Sequence, residues 1–311
     1  MLSRTSIWAA AARAFGAREP DEHVRNPDWL AERFLGPDER ALLGDHPLSS
    51  ALDQPFELAA KNMEAMGAAR ILIPRTHFID SRLEAAIREG ATQIVILGAG
   101  FDSRVYRFAE LLQGAQAYEV DQPEMQELKV RRVRQTLGEP PANATYVPVD
   151  FRCNALGVAL IHAGYRPDRR TFFIWEGVTM YLPAESVRDT LRWVAGNAAP
   201  GSSIVFDYTY ETSISSMRKM AAIDIEKLPE AARQAAMRYR RLLEDEPWIF
   251  GLPDREETEF LNDFRLDLRK VLGINSAEAV TNYLTRADGS IFAFFPATEV
   301  QGYLILEAVV P

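Results

Sequence analysis

Carboxylates and glycines recur at what read as the carboxyl ends of strands, and their order along the chain points to one ligand site. The densest stretch is Gln93-Ile94-Val95-Ile96-Leu97-Gly98-Ala99-Gly100-Phe101-Asp102-Ser103-Arg104, an apolar run of strand length closed by two glycines ahead of a helix. Glycine is wanted there because a ligand must come closer to the backbone than a Cβ permits, and because a tight turn calls for positive φ. Gly98 and Gly100 alone also fit an ordinary strand end. Asp102 narrows the chemistry. In a dinucleotide site of the G-x-G-x-x-G kind a third glycine falls at position 103, which here is Ser103, and a phosphate rests on the helix N-terminus. A carboxylate at that mouth repels phosphate but attracts an ammonium or a sulfonium, the two cationic groups of S-adenosylmethionine. A simpler role for Asp102 is to cap the helix.

Further polar residues follow at matching places. Asp121 ends Ala117-Tyr118-Glu119-Val120-Asp121, about 20 residues beyond the glycines, where a carboxylate accepts hydrogen bonds from ribose hydroxyls. Asp150-Phe151 ends a third apolar run, and a carboxylate beside an aromatic ring suits the exocyclic amine and flat face of adenine. Glu176 closes Thr171-Phe172-Phe173-Ile174-Trp175. Arg75 stands ahead of the glycine turn and has the fork to hold a ligand carboxylate. Tyr181 and Tyr208, also at strand ends, are candidates for proton transfer and for touching a second substrate. Each of these residues has a plain alternative as a turn, surface or packing residue.

The elements that must position them alternate. Strands are expected at 93–97, 117–121, 145–149, 171–175 and 203–208, with helices at 108–112, 125–137 and 185–194, which argues a doubly wound, mostly parallel sheet. A helical preface precedes them, with helices at 5–17, from 28 to 34, 56–66 and 78–88; Pro74 is expected to open the last. Beyond residue 208 the alternation stops. Residues 209–263 read as a helical insertion in which Met217, Met220 and Met237 have the adaptability of a pocket lining, and 265–272 and 302–310 read as closing strands. The expected organisation is a single domain over residues 1–311, with an N-terminal helical region at 1–90, a ligand-binding core at 91–208, the insertion at 209–263 and the closing strands at 264–311.

Composition excludes several classes. The 311 residues are 47% hydrophobic with a net charge of −9, so a sizeable core is available and nucleic acid, bound mainly through phosphate neutralisation, is not an expected partner. One cysteine, Cys153, excludes an internal disulfide and fits a reducing, cytoplasmic setting. The four histidines lie far apart, so no metal-ligand spacing is present. No apolar run reaches the length of a membrane span. The Arg- and Ser-containing first 18 residues share a composition with transit peptides, but an alanine-rich helix of the fold is the preferred reading.

Taken together, Arg75-Thr76, the Leu97 to Arg104 turn, Tyr118-Glu119-Val120-Asp121-Gln122-Pro123, Val149-Asp150-Phe151 and Trp175-Glu176-Gly177-Val178-Thr179-Met180-Tyr181-Leu182 resemble the leucine carboxyl methyltransferase family. The opening Arg4-Thr5-Ser6 to Arg13-Ala14 extends the likeness to roughly two thirds of the chain. The likeness is nearest to a bacterial branch of S-adenosylmethionine-dependent O-methyltransferases, some tied to natural-product pathways. It implies an α/β, Rossmann-like class I methyltransferase fold with a seven-stranded sheet. It also implies that Arg75 holds the methionine carboxylate, Gly98 touches the donor's backbone, Gly100 and Asp102 lie in its turn, Asp121 takes the ribose, Asp150-Phe151 the adenine and Glu176 the methionyl amine. Residues 209–263 match nothing that carries over.

The reaction so implied moves a methyl group from S-adenosylmethionine to an oxygen of a small molecule, leaving S-adenosylhomocysteine. A carboxylate acceptor is ionised at neutral pH and needs no base, whereas a hydroxyl needs one; the carboxylate is placed slightly ahead. Tyr181, Glu176 and Tyr208 are the candidate bases. Methylation of a protein's C-terminal leucine, donor binding without catalysis, and a nicotinamide oxidoreductase are the alternatives. Arg75 and Asp121 are expected at the pocket rim, so that alanine at either weakens donor binding without unfolding the protein. The oligomeric state is not read from the sequence.

Overall fold

The apolar runs pair into one sheet. In the computed structural model, residues 3–151, 156–230, 233–234, 236–237, 240, 246–293 and 302–311 are described. Its strands are β1 (Gln93–Leu97), β2 (Gln116–Asp121), β3 (Ala144–Pro148), β4 (Thr171–Trp175), β5 (Ser203–Thr209), β6 (Asp267–Gly273) and β7 (Tyr303–Val309). They lie in the order β3-β2-β1-β4-β5-β7-β6. The first five are parallel, and β7 runs antiparallel to both β5 and β6. The chain winds outward in one direction from β1 and in the other from β4, so the crevice between the carboxyl ends of these neighbours is the switch point at which such sheets bind ligands.

Successive residues of a strand face opposite sides, and here both sides are covered. Val95, Leu97, Phe173, Trp175 and Phe206 pack on one face, while Ile94, Ile96, Phe172, Ile174 and Val205 pack on the other. That double burial is why the strands read as continuous apolar runs rather than alternating ones.

The helices are α1 (Arg4–Gly16), α2 (Pro37–Leu42), α3 (Pro47–Leu52), α4 (Phe56–Ala59), α5 (Met63–Arg88), α6 (Arg104–Arg107), α7 (Pro123–Leu137), α8 (Leu156–His162), α9 (Ala184–Asn197), α10 (Glu211–Ala221), α11 (Glu257–Asn262) and α12 (Ala277–Tyr283). Four differ from expectation. Of the helix expected from 28 to 34 only Ala31–Phe34 turn, as a short 3-10 helix. Pro74 does not open a helix but sits inside α5, which runs for 26 residues. Proline in a helix interior costs about 3 kcal/mol, and the long buried face of α5, including Leu72, Ile73, Phe78, Ile79 and Leu83, more than offsets it. The helix after the glycine turn is α6, earlier than 108–112, and lasts one turn. The region from 56 to 66 divides into α4 and the start of α5, with Asn62 accepting from the Glu64 and Ala65 amides as N-cap. Much of 231–245 and Cys153 lie outside the described residues.

Candidate active site

One cavity of about 540 Å³ opens at the switch point. Its walls include Gly98, Gly100, Asp102, Asp121, Asp150, Phe151 and Glu176 on one side, and Ser3, Thr5, Trp8, Tyr181, Glu246, Trp248 and Tyr303 on the other, with Arg13 and Arg75 between. The fold thus brings nine of the ten residues singled out from sequence to a single cavity. Its charged lining is two arginines and five carboxylates, a formal excess of three negative charges that favours a cationic ligand.

Backbone geometry explains the glycines. Gly98 has φ +69° and a Cβ there would stand 2.4 Å from Val178 Cγ2; Gly100 has φ +41°. The amides of Gly98 and Ala99 both donate to the Val120 carbonyl, at 2.8 and 2.9 Å, folding the turn back on β2. The Gly100 amide donates to Asp121 Oδ2 at 2.6 Å, and the Gln122 amide to Asp121 Oδ1 at 2.7 Å. An amide that a dinucleotide site would offer to phosphate is therefore held by a carboxylate. Burial pushes the Asp121 carboxyl above its ordinary value despite these bonds.

Behind this wall the charges form a network of alternating sign. Arg75 pairs with Glu176 at 2.8 Å and with Asp207 at 2.9 Å, and it donates to the Tyr303 hydroxyl at 2.6 Å. Glu176 bridges on to Arg104 at 2.6 Å, which also binds Asp80 at 2.7 Å and Asp102. Burial works against the ionised form of Glu176, but Arg104 and Arg75 outweigh it and hold the carboxyl well below the usual range. Asp102 lies at the turn as expected, yet its charge is met by Arg104, whose amide it also caps at 2.7 Å. Arg75 is buried rather than at a rim. Its Nε is a buried donor left without a partner, which suits an incoming carboxylate.

The roof comes from both ends of the chain. Arg13 of α1 binds Asp28 at 2.8 Å and the Phe101 carbonyl at 2.9 Å, tying the helix to the glycine turn. Glu246 accepts the Arg4 and Thr5 amides at 2.9 and 3.0 Å, along with the Thr5 and Ser3 hydroxyls. A carboxylate on the first free amides of a helix is favourable electrostatically. The Ile249 amide donates to the Met180 carbonyl at 2.7 Å, and the Tyr181, Trp248 and Tyr303 rings follow one another at 6.3 and 5.9 Å. Burial raises the Tyr181 hydroxyl to about 12, so Tyr181 remains protonated near neutrality.

Tyr208 is the exception among the expected residues. It is fully buried on the other face of the sheet, beside Phe206, and its hydroxyl donates to Glu257 at 2.6 Å. Its neighbour on β5, Asp207, faces Arg75 instead, because adjacent strand residues point to opposite sides. Met217 and Met237 do not line the cavity, whereas Met125 and Met180 do; the Met220 side chain lies outside the described residues. Sequence reasoning misses Asp207, Tyr303, Arg104, Trp248 and Glu246. Asp207, an acid between Phe206 and Tyr208 in an otherwise apolar run, is a usable signal, since buried acids require partners.

Fold and site together define a Rossmann-like protein of the class I methyltransferase type. The leucine carboxyl methyltransferase family model matches residues 6–195, and the chain belongs to that family. It is 35% identical over 212 residues to a "Putative S-adenosyl-L-methionine-dependent methyltransferase" of Mycolicibacterium gilvum, covering 67% of this chain and 66% of the relative. "Putative S-adenosyl-L-methionine-dependent methyltransferase FRAAL3718" of Frankia alni is 31% identical over 260 residues, 83% of this chain and 84% of the relative. The match thus spans about two thirds of the first of these relatives and more of the second. A solved structure of a DUF574 family protein from Streptomyces avermitilis shares the fold, with a TM-score of 0.53, 14% identity and 97% of each chain covered.

Proposed function

We propose that this chain is an S-adenosylmethionine-dependent O-methyltransferase acting on a carboxylate or hydroxyl of a small molecule. The observation that carries the choice of donor is the hydrogen bond from the Gly100 amide to Asp121, set in a wall of five carboxylates and two arginines. A pyrophosphate would meet repulsion there, while a ligand bearing an ammonium and a sulfonium would not. Arg75, through its unpartnered Nε, is suited to the donor's carboxylate, Asp121 to its ribose, and Asp150 with Phe151 to its adenine. Gly98 and Gly100 allow the close approach, and Glu176 with Asp102 supplies negative charge toward the amine.

Bound at this site, the donor supplies a methyl group on a sulfonium, already an excellent leaving group. The protein's contribution is then to position the acceptor and exclude water. The roof of α1 and residues 246–249 covers the cavity, and Tyr181 offers a hydroxyl that donates a hydrogen bond rather than one that removes a proton. The single cysteine of the sequence supports a reducing, cytoplasmic setting.

Calorimetric titration with S-adenosylmethionine, S-adenosylhomocysteine and NADH in parallel tests the donor. Binding of the first two alone is expected; binding of NADH alone overturns the reading. Membership of a family described by leucine carboxyl methylation favours one second reading, a peptide C-terminal carboxylate as acceptor. Assays with free acids, phenols and a peptide ending in leucine separate the two, and turnover of the peptide alone reverses the order.

A further inference from the structure

Both cations that line the cavity are already engaged. Arg13 is held by Asp28 and the Phe101 carbonyl, and Arg75 by Glu176, Asp207 and Tyr303. Among the described lining residues there is no other cation, whereas five carboxylates line the cavity. An acceptor carboxylate would find no free side-chain cation here and only the donor's sulfonium to meet its charge, at a desolvation cost that a neutral hydroxyl escapes. The hydroxyl has a different requirement, because its oxygen must lose a proton as it attacks.

Most of the cavity's acids are poorly placed to take that proton. Glu176 lies between two arginines, Asp102 is bound by Arg104, Asp121 holds two backbone amides, and Glu246 receives four donors from the start of α1. Tyr181 hydrogen-bonds with Trp248 and Thr5, and of the two carboxylates that act on it Glu246 is spent on α1 while Asp207 is bound by Tyr303.

Tyr303 differs in having a carboxylate directly behind it. Its hydroxyl donates to Asp207 Oδ2 and accepts from Arg75 at 2.6 Å. A phenolic oxygen has two acceptor lone pairs, so one remains for a proton arriving from the cavity that Tyr303 lines. Asp207 is fully buried; its Oδ1 accepts the Gly177 amide at 2.7 Å and its Oδ2 receives Tyr303 and Arg75. Burial raises its carboxyl above the ordinary value, in spite of Arg75 and Tyr303.

We propose that Tyr303 and Asp207 form a proton relay that activates a hydroxyl acceptor, so that the acceptor of this enzyme is an alcohol or phenol rather than a carboxylate. The relay rests on the methyl-transfer reading above. As the new O–CH3 bond forms and the donor's S–CH3 bond breaks, the acceptor O–H bond breaks with it. The acceptor's proton passes to Tyr303 Oη, the Tyr303 proton passes to the buried Asp207 Oδ2, and once the product has left the same two steps run in reverse to deliver a proton through Tyr303 to water in the cavity. No free tyrosinate is formed, in keeping with a Tyr303 hydroxyl that burial, chiefly, holds well above its ordinary value.

The test is Tyr303→Phe, assayed with phenols of graded acidity, aliphatic alcohols and carboxylic acids, with S-adenosylhomocysteine affinity measured calorimetrically beside it. Because Tyr303 also holds Arg75, turnover is compared at saturating donor, and any loss of cofactor affinity is expected to be the same whichever acceptor is used. Turnover is expected to fall by about 10²–10³ for the least acidic phenols and hardly at all for phenols already ionised at the assay pH. Asp207→Asn, which keeps the shape but accepts no proton, is expected to show the same dependence on acceptor acidity and stands in should Tyr303→Phe not fold. A loss of equal size for all acceptors, as a merely structural role would give, overturns the relay. Turnover of carboxylic acids alone overturns it too while leaving methyl transfer standing. Failure of the parent with every acceptor, the leucine peptide included, overturns the methyl-transfer reading itself.

Discussion

The two ends of the cavity are assembled in different ways. At the donor end the decisive contact joins Gly100 to Asp121, residues 21 positions apart in one strand-turn-strand unit. At the roof, Thr5 meets Glu246 across 241 positions, and Arg75 meets Tyr303 across 228. The first kind of contact is prescribed by local motif, since glycine turn and strand-end acid are fixed by the same parallel pairing of β1 with β2. The second kind exists only once distant segments have met, Tyr303 for instance being carried to its place by the pairing of β7 with β5. One end is therefore a property of the family's fold, and the other, on the function proposed above, is the end assigned to the acceptor.

Arg75 joins the two ends, and removing it is expected to have the largest effect. Arg75→Ala leaves the fully buried Asp207 without its cation, while the half-buried Glu176 keeps only Arg104. Breaking a buried pair by deleting one partner costs about 3–5 kcal/mol. Urea unfolding of the variant should show a loss of that order, in contrast to the rim position expected from sequence. A loss below about 1 kcal/mol, within the range of an exposed ion pair, would mean that the network is not a structural seam.

Asp121→Ala sharpens the contrast by touching only the donor end. Its carboxylate holds two amides of the turn, and hydrogen bonds to charged groups are worth about 1.5–3 kcal/mol. Affinity for S-adenosylhomocysteine is expected to fall about ten- to hundredfold, with a loss of stability no larger than those two hydrogen bonds and smaller than that of Arg75→Ala. The same group sets a pH dependence. Its value is raised above 3.8 by burial, and only the ionised form accepts two hydrogen bonds at full strength. Donor affinity is thus complete above the raised value and declines as pH falls through it. Calorimetry across the mildly acidic range checks this, with Asp121→Asn expected to flatten the profile.

The contrast also explains what is legible in the sequence. Strand ends announce themselves: Gly98, Gly100, Asp121, Asp150 and Glu176 follow apolar runs, and all reach the cavity because parallel strands deliver their carboxyl ends to one edge. Choosing between neighbours on a strand buried on both faces is harder. Alternation is invisible there, which is why the pattern points to Tyr208 and passes over Asp207. Pro74 misleads because local propensity is a weak guide once a helix buries a long face. Tyr303, Trp248 and Glu246 carry no local signal at all, and the partners of Tyr303 and Glu246 include residues more than two hundred positions away. Any single-sequence reading lacks the contact that gives such residues meaning.

Glu246→Gln is the smallest of these changes and isolates the roof. The amide side chain keeps the shape but loses the charge that faces the first turn of α1, an interaction worth about 0.3–1 kcal/mol near a helix N-terminus. Amide hydrogen exchange at Thr5 and Ser6 is expected to quicken severalfold as that turn frays, and the acceptor KM to rise with it. Affinity for S-adenosylhomocysteine should stay put, because the Gly100 to Asp121 contact is untouched. The opposite pattern, weaker donor binding at an unchanged acceptor KM, would show that α1 and residues 246–249 serve the donor as much as the acceptor. The division between a motif-built end and a chain-closed end would then have to be abandoned.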